Sequence, residues 1–363
     1  MKKKILVVDD SALMRRVLCD IIESDEEFEV SGRAINGLEA LDFVRKNSYD
    51  AIVLDVNMPK MTGLEFLAEL KKENLPQRVM MASTDTREGA KTTLEALDLG
   101  ALDFVHKPDQ AFSCRDGVFQ LEFLRTLRGV ASSKLPVFRD RAEETVRETV
   151  RKDENRQFVN LLSRSASRVR GNKIVAIASS TGGPRALQGV IPYLPANLDA
   201  PVILVQHMPK GFTATLAQRL DQMSDLSVCE AAEGQVLEKG HVYISAGGLH
   251  MTVKSAPGGS AVIHYTDDPV REGVKPCANY MYESLSDSGF DTIVCCVLTG
   301  MGADGTEGIK NLKAKKNAYV ISQDEESSTV YGMPKAVFRA GLSDEVVSLD
   351  RIAEEISIRI GLK

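Results

Sequence analysis

Three stretches carry residues that could make and break an acyl bond: Ser179-Ser180-Thr181-Gly182-Gly183, His207-Met208-Pro209-Lys210 and Thr299-Gly300-Met301-Gly302-Ala303-Asp304-Gly305. Each follows an apolar run, Ile174–Ala178, Val202–Gln206 and Thr292–Leu298, of the near-continuous kind that a strand covered on both faces needs. Parallel strands would deliver all three to one sheet edge. There Ser180 is a candidate nucleophile, His207 a general base and Asp304 the carboxylate that orients the imidazole. The glycines can leave backbone N–H groups to hold an oxyanion. Ser179 competes with Ser180 for the nucleophile, and spacing alone does not choose. A strand-end histidine and an aspartate before a helix each have ordinary structural uses. Their joint arrival beside a hydroxyl-rich turn is what favours chemistry.

The same turn could instead cradle a phosphate with backbone N–H groups. It is neither GxGxxG nor GxxxxGK[ST] nor GxSxG, so the stretch Lys173–Pro184 does not decide by itself. Of the other histidines, His241 and His264 read as strand-edge residues, whereas His250 follows Gly247-Gly248-Leu249 and could line a cleft. The six cysteines form no CxxC pair and the five histidines no HExxH pattern, which leaves reduced core thiols and no metal site here.

The N-terminal part reads as five strand–helix units: Ile5–Val8 and Ala12–Ile22, Phe28–Ala34 and Gly37–Arg45, Ala51–Leu54 and Gly63–Lys71, Val79–Ala82 and Glu88–Leu99, Ala101–Val105 and Val118–Leu127. Units of this size build a doubly wound parallel α/β sheet, with sites beyond the carboxyl ends of its strands. Those ends deliver Asp9 and Asp10, then Asp55, then Ser83 and Thr84, then Lys107-Pro108. Converging carboxylates repel unless a cation is bound, and oxygen ligands suit Mg²⁺. A lysine and a hydroxyl beside them could hold an anion, which is the chemistry of a phosphoryl-accepting aspartate. The Lys107-Pro108 bond is a candidate cis proline.

At 363 residues the chain predicts two domains, and 43% hydrophobic with 26% charged residues is a soluble composition. A net charge of −6 without a basic patch argues against nucleic acid as a partner. Met1-Lys2-Lys3-Lys4 begins like an export signal, but the apolar run after it stops at Asp9-Asp10. No run approaches the ~20 apolar residues needed to span a bilayer, so a cytoplasmic protein is expected. Residues 139–156 hold twelve charged side chains, six of each sign, and cannot build a core. Glu143–Arg147 and Glu148–Lys152 have the i,i+4 spacing of an exposed helix. The expected division is therefore 1–128, a charged linker over 129–172, and a second α/β domain over 173–363 with a mainly parallel sheet. The linker fits a solvated tether and a docking element for a partner equally well.

ILVVDDS, IVLDVNMPKMTGLEF and GALDFVHKP resemble the response-regulator receiver family over residues 1–128. The resemblance implies that Asp55 takes a phosphoryl group from a chemotaxis histidine kinase. It also implies that Asp9 and Asp10, with Asp55 and the backbone carbonyl of Asn57, hold Mg²⁺, that Lys107 pairs with the phosphoryl group and that Ser83 reports it. Thr62 stands where such proteins often carry Asp. AIASSTGGPRAL, VQHMPKGFTATLAQRLD, HVYISAGGLHM, LTGMGADGTEG and QDEESSTVYGMPKAV resemble the catalytic domain of the chemotaxis protein-glutamate methylesterases over about 173–360. That resemblance implies Ser180 rather than Ser179 as nucleophile, His207 as base, Asp304 as orienting acid, and oxyanion donors from the backbone of Thr181 and Met301. The family usually carries Ser-Val-Asp after the proline matching Pro276, where this chain has Cys277-Ala278-Asn279. That helix is expected near the substrate, so the departure bears on substrate preference.

The implied reaction is hydrolysis of a glutamyl γ-methyl ester on a methyl-accepting chemotaxis receptor, with deamidation of receptor glutamines as a second activity and no cofactor for hydrolysis. If the receiver covers the Ser180 edge, phosphorylation of Asp55 would shift the molecule to an open state. Two readings compete with it: a nucleotide-binding module at the Ser179–Gly183 turn, and a non-catalytic phospho-dependent signalling scaffold.

Overall fold

The computed structural model describes residues 1–84, 87–108, 117–138, 149–151, 153–155, 157–159, 171–256 and 260–362. The chain divides into two compact units, Met1–Arg139 and Asp140–Lys363.

The first unit alternates β1 (Lys3–Val8), α1 (Ala12–Glu23), β2 (Phe28–Ala34), α2 (Gly37–Lys46), β3 (Ala51–Asp55), α3 (Gly63–Lys72), β4 (Val79–Thr84), α4 (Arg87–Asp98), β5 (Asp103–Lys107) and α5 (Gly117–Ala131). All pairings are parallel, in the order β2-β1-β3-β4-β5, which is the doubly wound sheet that the alternating pattern predicts. The starts of α1, α2 and α3 have local causes. Ser11 accepts from the Met14 N–H, Asn36 accepts from the Glu39 N–H, and Thr62 forms a capping box with Glu65. Thr62 thus has a structural use in this chain. Fully buried Phe28 and Phe123 lie in the core between the sheet, α1 and α5. The switch point falls between β1 and β3, whose register pairs Val8 with Leu54 and so sets Asp9 beside Asp55. Helix α5 runs to Ala131, past residue 129 where the linker is expected to begin. Among the described residues the cis peptide bond is Lys275–Pro276, not Lys107–Pro108.

The second unit contains β6 (Lys173–Ser179), α6 (Gly183–Gln188), β7 (Val202–Gln206), α7 (Phe212–Met223), β8 (Ser227–Glu230), β9 (His241–Ile244), β10 (His250–Ser255), β11 (Ala261–Thr266), α8 (Ala278–Ser284), β12 (Thr292–Val297), α9 (Thr306–Lys313), β13 (Ala318–Gln323), α10 (Met333–Arg339), β14 (Glu345–Val347) and α11 (Ile352–Ile360). Seven strands form one parallel sheet, β14-β13-β12-β6-β7-β9-β8, while β10 and β11 make a separate antiparallel hairpin. The apolar runs that read as buried strands are its three central members. All seven residues of β6 are buried, since helices cover both faces of a sheet of this kind. After β6 the chain moves to β7 on one side, and it later returns to β12 on the other. The switch point therefore lies between β6 and β12.

Residues 149–151, 153–155 and 157–159 are helical and pack on the second unit. The Arg151 guanidinium lies 3.8 Å from the Tyr193 ring centroid and donates to the Gly189 and Asp350 carbonyls at 2.8 and 3.0 Å. Asn155 donates to the Tyr193 carbonyl at 2.9 Å. This end of the linker packs against its own unit and is not a solvated tether; the Glu143–Arg147 and Glu148–Lys152 pairs lie outside the described residues.

Lys173, only 2% exposed, ties the start of β6 to the last helix of the second unit. Its Nζ donates to Asp199 at 2.6 Å and to the Ile360 carbonyl in the last turn of α11 at 2.8 Å. Lys173→Met leaves that carbonyl and part of the Asp199 carboxylate without a partner. The urea midpoint of the second unit should fall by an amount equivalent to about 2–4 kcal/mol.

Candidate active site and phosphoacceptor site

Strands β6 and β7 pair through Ser179 and Gln206, so the next residues, Ser180 and His207, leave the sheet side by side. Two backbone bonds fix them there: His207 N–H to the Ser179 carbonyl at 3.1 Å, and Ser180 N–H to the Thr299 carbonyl at 3.0 Å. Ser179 is fully buried and its hydroxyl donates to Gln206 Oε1 at 2.7 Å. Gln206 Nε2 in turn donates to the Ser180 and His207 carbonyls at 3.0 and 3.1 Å. Packing therefore commits Ser179 to the scaffold of the turn, which spacing in the sequence did not show. A Cβ on Gly183 would lie 1.9 Å from Gln206 Oε1, so this clasp needs glycine there. Gly182 has φ of 76°, the left-handed conformation that lets the chain enter α6 so soon after Ser180.

His207 Nε2 hydrogen-bonds Asp304 Oδ2 at 2.8 Å, and both side chains are shielded from solvent, at 7% and 2% exposure. Asp304 is held from four further directions. Ala278 N–H donates to Oδ2 at 2.6 Å, while the Cys277 thiol, Asn279 N–H and Gly305 N–H donate to Oδ1 at 3.0, 3.0 and 2.8 Å. Burial alone pushes this carboxyl up. The His207 bond and charge, the Cys277 thiol and the Ala278 N–H outweigh it and bring the pKa down to about 2. Cys277 and Asn279, where the chain departs from the Ser-Val-Asp pattern, thus touch the carboxylate itself. Asn279 Oδ1 also accepts from the Gly305 and Gly308 N–H groups at 3.1 and 2.7 Å, capping α9 from a neighbouring helix. The sequence departure pointed at this segment; its role in holding Asp304 was not readable there.

The β12 loop closes the site. A Cβ on Gly300 would lie 2.7 Å from the Ser180 Cβ, so only glycine lets the two loops approach this closely. The Thr299 hydroxyl accepts from Val330 N–H at 2.9 Å and lies 3.0 Å from the Thr181 carbonyl. The backbone N–H groups of Thr181 and Met301 donate to no protein acceptor among the described residues. His241 sits at the amino end of β9, the edge opposite Ser180, and His264 pairs with Glu233 in the hairpin at 2.8 Å. His250 is different: it is fully buried and accepts the Cys277 N–H through Nδ1 at 3.1 Å.

In the first unit, Asp9, Asp10 and Asp55 bring carboxylate oxygens within 4.8 Å of one another. Lys107 pairs with Asp55 and, at 3.0 Å, with Asp9. Burial pushes the Asp55 carboxyl up and Lys107 offsets this only in part. Burial alone would pull the Lys107 ammonium down, but Asp55 and Asp9 hold it above its usual range. Ser83 is buried at the end of β4, and Asn57 is exposed two residues beyond β3. An all-oxygen donor set with one exposed member, Asp10, fits a hard divalent cation.

The model of the family described as CheB methylesterase matches residues 175–356, and that of the response regulator receiver domain matches residues 5–113. A protein-glutamate methylesterase/protein-glutamine glutaminase of Syntrophomonas wolfei is 40% identical over 362 residues, covering 98% of each chain. The chain belongs to the protein-glutamate methylesterase family. Other members of that family are similar along nearly the full length: the Bacillus subtilis protein of the same name is 41% identical over 98% of this chain and 97% of its own, and the Pyrococcus abyssi protein 41% over 98% and 93%. Among solved structures, the Thermotoga maritima CheB methylesterase catalytic domain is 39% identical over 51% of this chain and 97% of its own, with a TM-score of 0.49. The response regulator domain of Thermotoga maritima CheB is 40% identical over 37% of this chain and 99% of its own, with a TM-score of 0.34. The methylesterase match spans Ser180, His207 and Asp304, and the receiver match spans Asp9, Asp10, Asp55, Ser83 and Lys107.

The Asp304 pKa gives a test of the buried carboxylate. A folded value of about 2 against about 3.9 unfolded means stability present above pH 4 and lost as pH falls towards 2, about 2–3 kcal/mol in all. Roughly half of that is lost by pH 3. Urea unfolding at pH 7 and pH 3 should show a smaller pH dependence for Asp304→Asn than for the wild type.

Proposed function

We propose that this chain hydrolyses glutamyl γ-methyl esters on the cytoplasmic helices of chemotaxis receptors through Ser180, His207 and Asp304, under control of phosphorylation at Asp55. The observation that carries this reading is the buried His207–Asp304 hydrogen bond beside the Ser180 turn, in a chain whose curated relatives are named for this activity. The expected domain limits, 1–128, 129–172 and 173–363, belong to the same reading.

Asp304 engages Nε2, so in the neutral ring Nε2 carries the proton and Nδ1 the lone pair. Nδ1 is then the nitrogen that takes the Ser180 proton as the hydroxyl attacks the ester carbonyl. The usual serine-hydrolase triad puts the acid on Nδ1 and the serine on Nε2, and here the two nitrogens exchange roles. Asp304, already the acceptor of five donors, stabilises the imidazolium without being protonated. The Thr181 and Met301 N–H groups receive the oxyanion, methanol leaves with the proton from Nδ1, and water attacks the acyl-enzyme to free the glutamate. A glutamine side chain reacts by the same steps with ammonia as leaving group, in keeping with the second activity in the relatives' names. Hydrolysis needs no cofactor.

In the first unit, Asp55 accepts a phosphoryl group from a chemotaxis histidine kinase, Lys107 pairs with it and Ser83 responds to it. Asp9, Asp10 and Asp55, with the Asn57 carbonyl, would hold Mg²⁺, which when bound offsets the charge gathered around the phosphoryl oxygens. Receptor helices and kinase place the protein in the cytoplasm, and no helix among the described residues is long and apolar enough to cross a membrane. Neither nucleic acid nor membrane insertion enters the reading.

Methanol release from methylated receptor tests the triad. Ser180→Ala should lose about 10⁴-fold or more in rate with its thermal unfolding unchanged. Ser179→Ala should instead lower stability. Nucleotide-dependent stabilisation that survives Ser180→Ala would favour a nucleotide module, and signalling unchanged in Ser180→Ala would favour a scaffold. For control, a small-molecule phosphodonor should raise the wild-type rate and leave Asp55→Asn unaffected. Equal rates with Asp55 shown to be modified would overturn the regulatory part.

A further inference from the structure

We propose that His250 is a positioning residue for the hydrolysis: in its neutral form it accepts the Cys277 N–H and so fixes the backbone that holds Asp304. The proposal rests on the triad reading above and deepens it. His250 opens β10 and is fully buried, and its Nδ1 accepts from Cys277 N–H at 3.1 Å. A donor on that side requires a lone pair on Nδ1, so the ring is neutral with its proton on Nε2. Nε2 is buried without a hydrogen-bond partner; the ring lies near the backbone oxygens of Pro269 and Asp268, and Nε2 closes a bond to neither. The Tyr280 ring packs on the imidazole with centroids 4.5 Å apart. The charged groups facing it are Lys275, Asp268 and Asp267. Burial first, then Lys275, hold the imidazole below its usual pKa.

What this bond anchors gives it consequence. Cys277, Ala278 and Asn279 are consecutive, and their thiol and two N–H groups supply three of the five donors to Asp304. The N–H at the head of that run is the one His250 accepts. The far end of α8 is fixed separately, by the Tyr282 hydroxyl donating to the Cys296 carbonyl at 2.9 Å. Without an acceptor at position 250, the Cys277 N–H is orphaned in a dry interior, and the turn must shift to recover a partner. A shift there moves the donors on Asp304 and, through its Oδ2, the His207 ring. Protonation of His250 has the same effect, because an Nδ1–H would face the Cys277 N–H.

The test uses the full chain with phosphodonor, methylated receptor as substrate and Ser180→Ala as the blank. His250→Leu removes the acceptor at similar volume, whereas the Oδ1 of His250→Asn can take the place of Nδ1. His250→Leu should lower kcat about 10- to 100-fold with KM within about twofold, since small displacements of catalytic groups cost rate rather than binding. His250→Asn should restore kcat to within a few-fold. The wild-type acid limb of kcat should need two deprotonations, His207 and His250, and that of His250→Asn only one. If His250→Leu does not fold, the comparison of acid limbs decides. Equal loss in both variants, an unchanged kcat in His250→Leu, or identical acid limbs in wild type and His250→Asn would overturn the proposal. Wild-type protein that releases no methanol would overturn the hydrolase reading itself, an outcome distinct from these.

Discussion

A carboxylate taken out of water at a sheet edge must be repaid in hydrogen bonds, and Asp304 is where the second unit does this. Five donors converge on two oxygens: an imidazole, a thiol and three backbone N–H groups from two segments remote in sequence. Four of the five are neutral groups of the scaffold, so the charge is solvated by fixed dipoles. The same bonds join the β12 loop, α8 and His207 into one body. The nucleophile turn is added to it through the Ser180 N–H to Thr299 bond and the Gly300 contact.

The first unit treats its carboxylates the opposite way. Asp9 and Asp55 share one ammonium, that of Lys107, and Asp55 lies above its usual range where Asp304 lies far below. The difference fits the two roles proposed above. In the proposed role of phosphoacceptor, Asp55 must keep an oxygen available for a bond to phosphorus, and beside it lie one buried lysine and a candidate cation site. An orienting acid forms no covalent bond, so every lone pair can be spent on fixed donors. Both sites nevertheless lie at a topological switch point, between β1 and β3 and between β6 and β12, where loops diverge and leave room above the strand ends.

Periodicity and turn chemistry made the five strand–helix units of residues 1–128 legible, with ends up to four residues off, because α1, α2 and α3 carry their own caps and each buried strand its own apolar run. The three strand ends of the second unit were legible for the same reason. Spacing did not choose between Ser179 and Ser180, since adjacent serines differ only in which face of the turn they meet; the family resemblance favoured Ser180. The start of α8 and the hairpin were opaque too: residues 277–279 touch Asp304 across 25 to 27 residues of chain, and the hairpin meets Cys277 through His250. Nor could charge pattern alone decide whether the linker floats, which Arg151 on Tyr193 of the same unit answers for its described part.

By itself the sequence determined the two parallel sheets, the loops at their carboxyl edges, and hence the company of Ser180 with His207 and Asp304 and of Asp55 with Asp9, Asp10 and Lys107. These follow from local rules of burial, capping and strand order. Only the tertiary structure decided that Ser179 is scaffold, that Asp304 takes Nε2 of His207, and that Cys277, Asn279 and His250 stand behind it. Those facts depend on which lone pair meets which donor across the fold, and no local property of the chain encodes that direction.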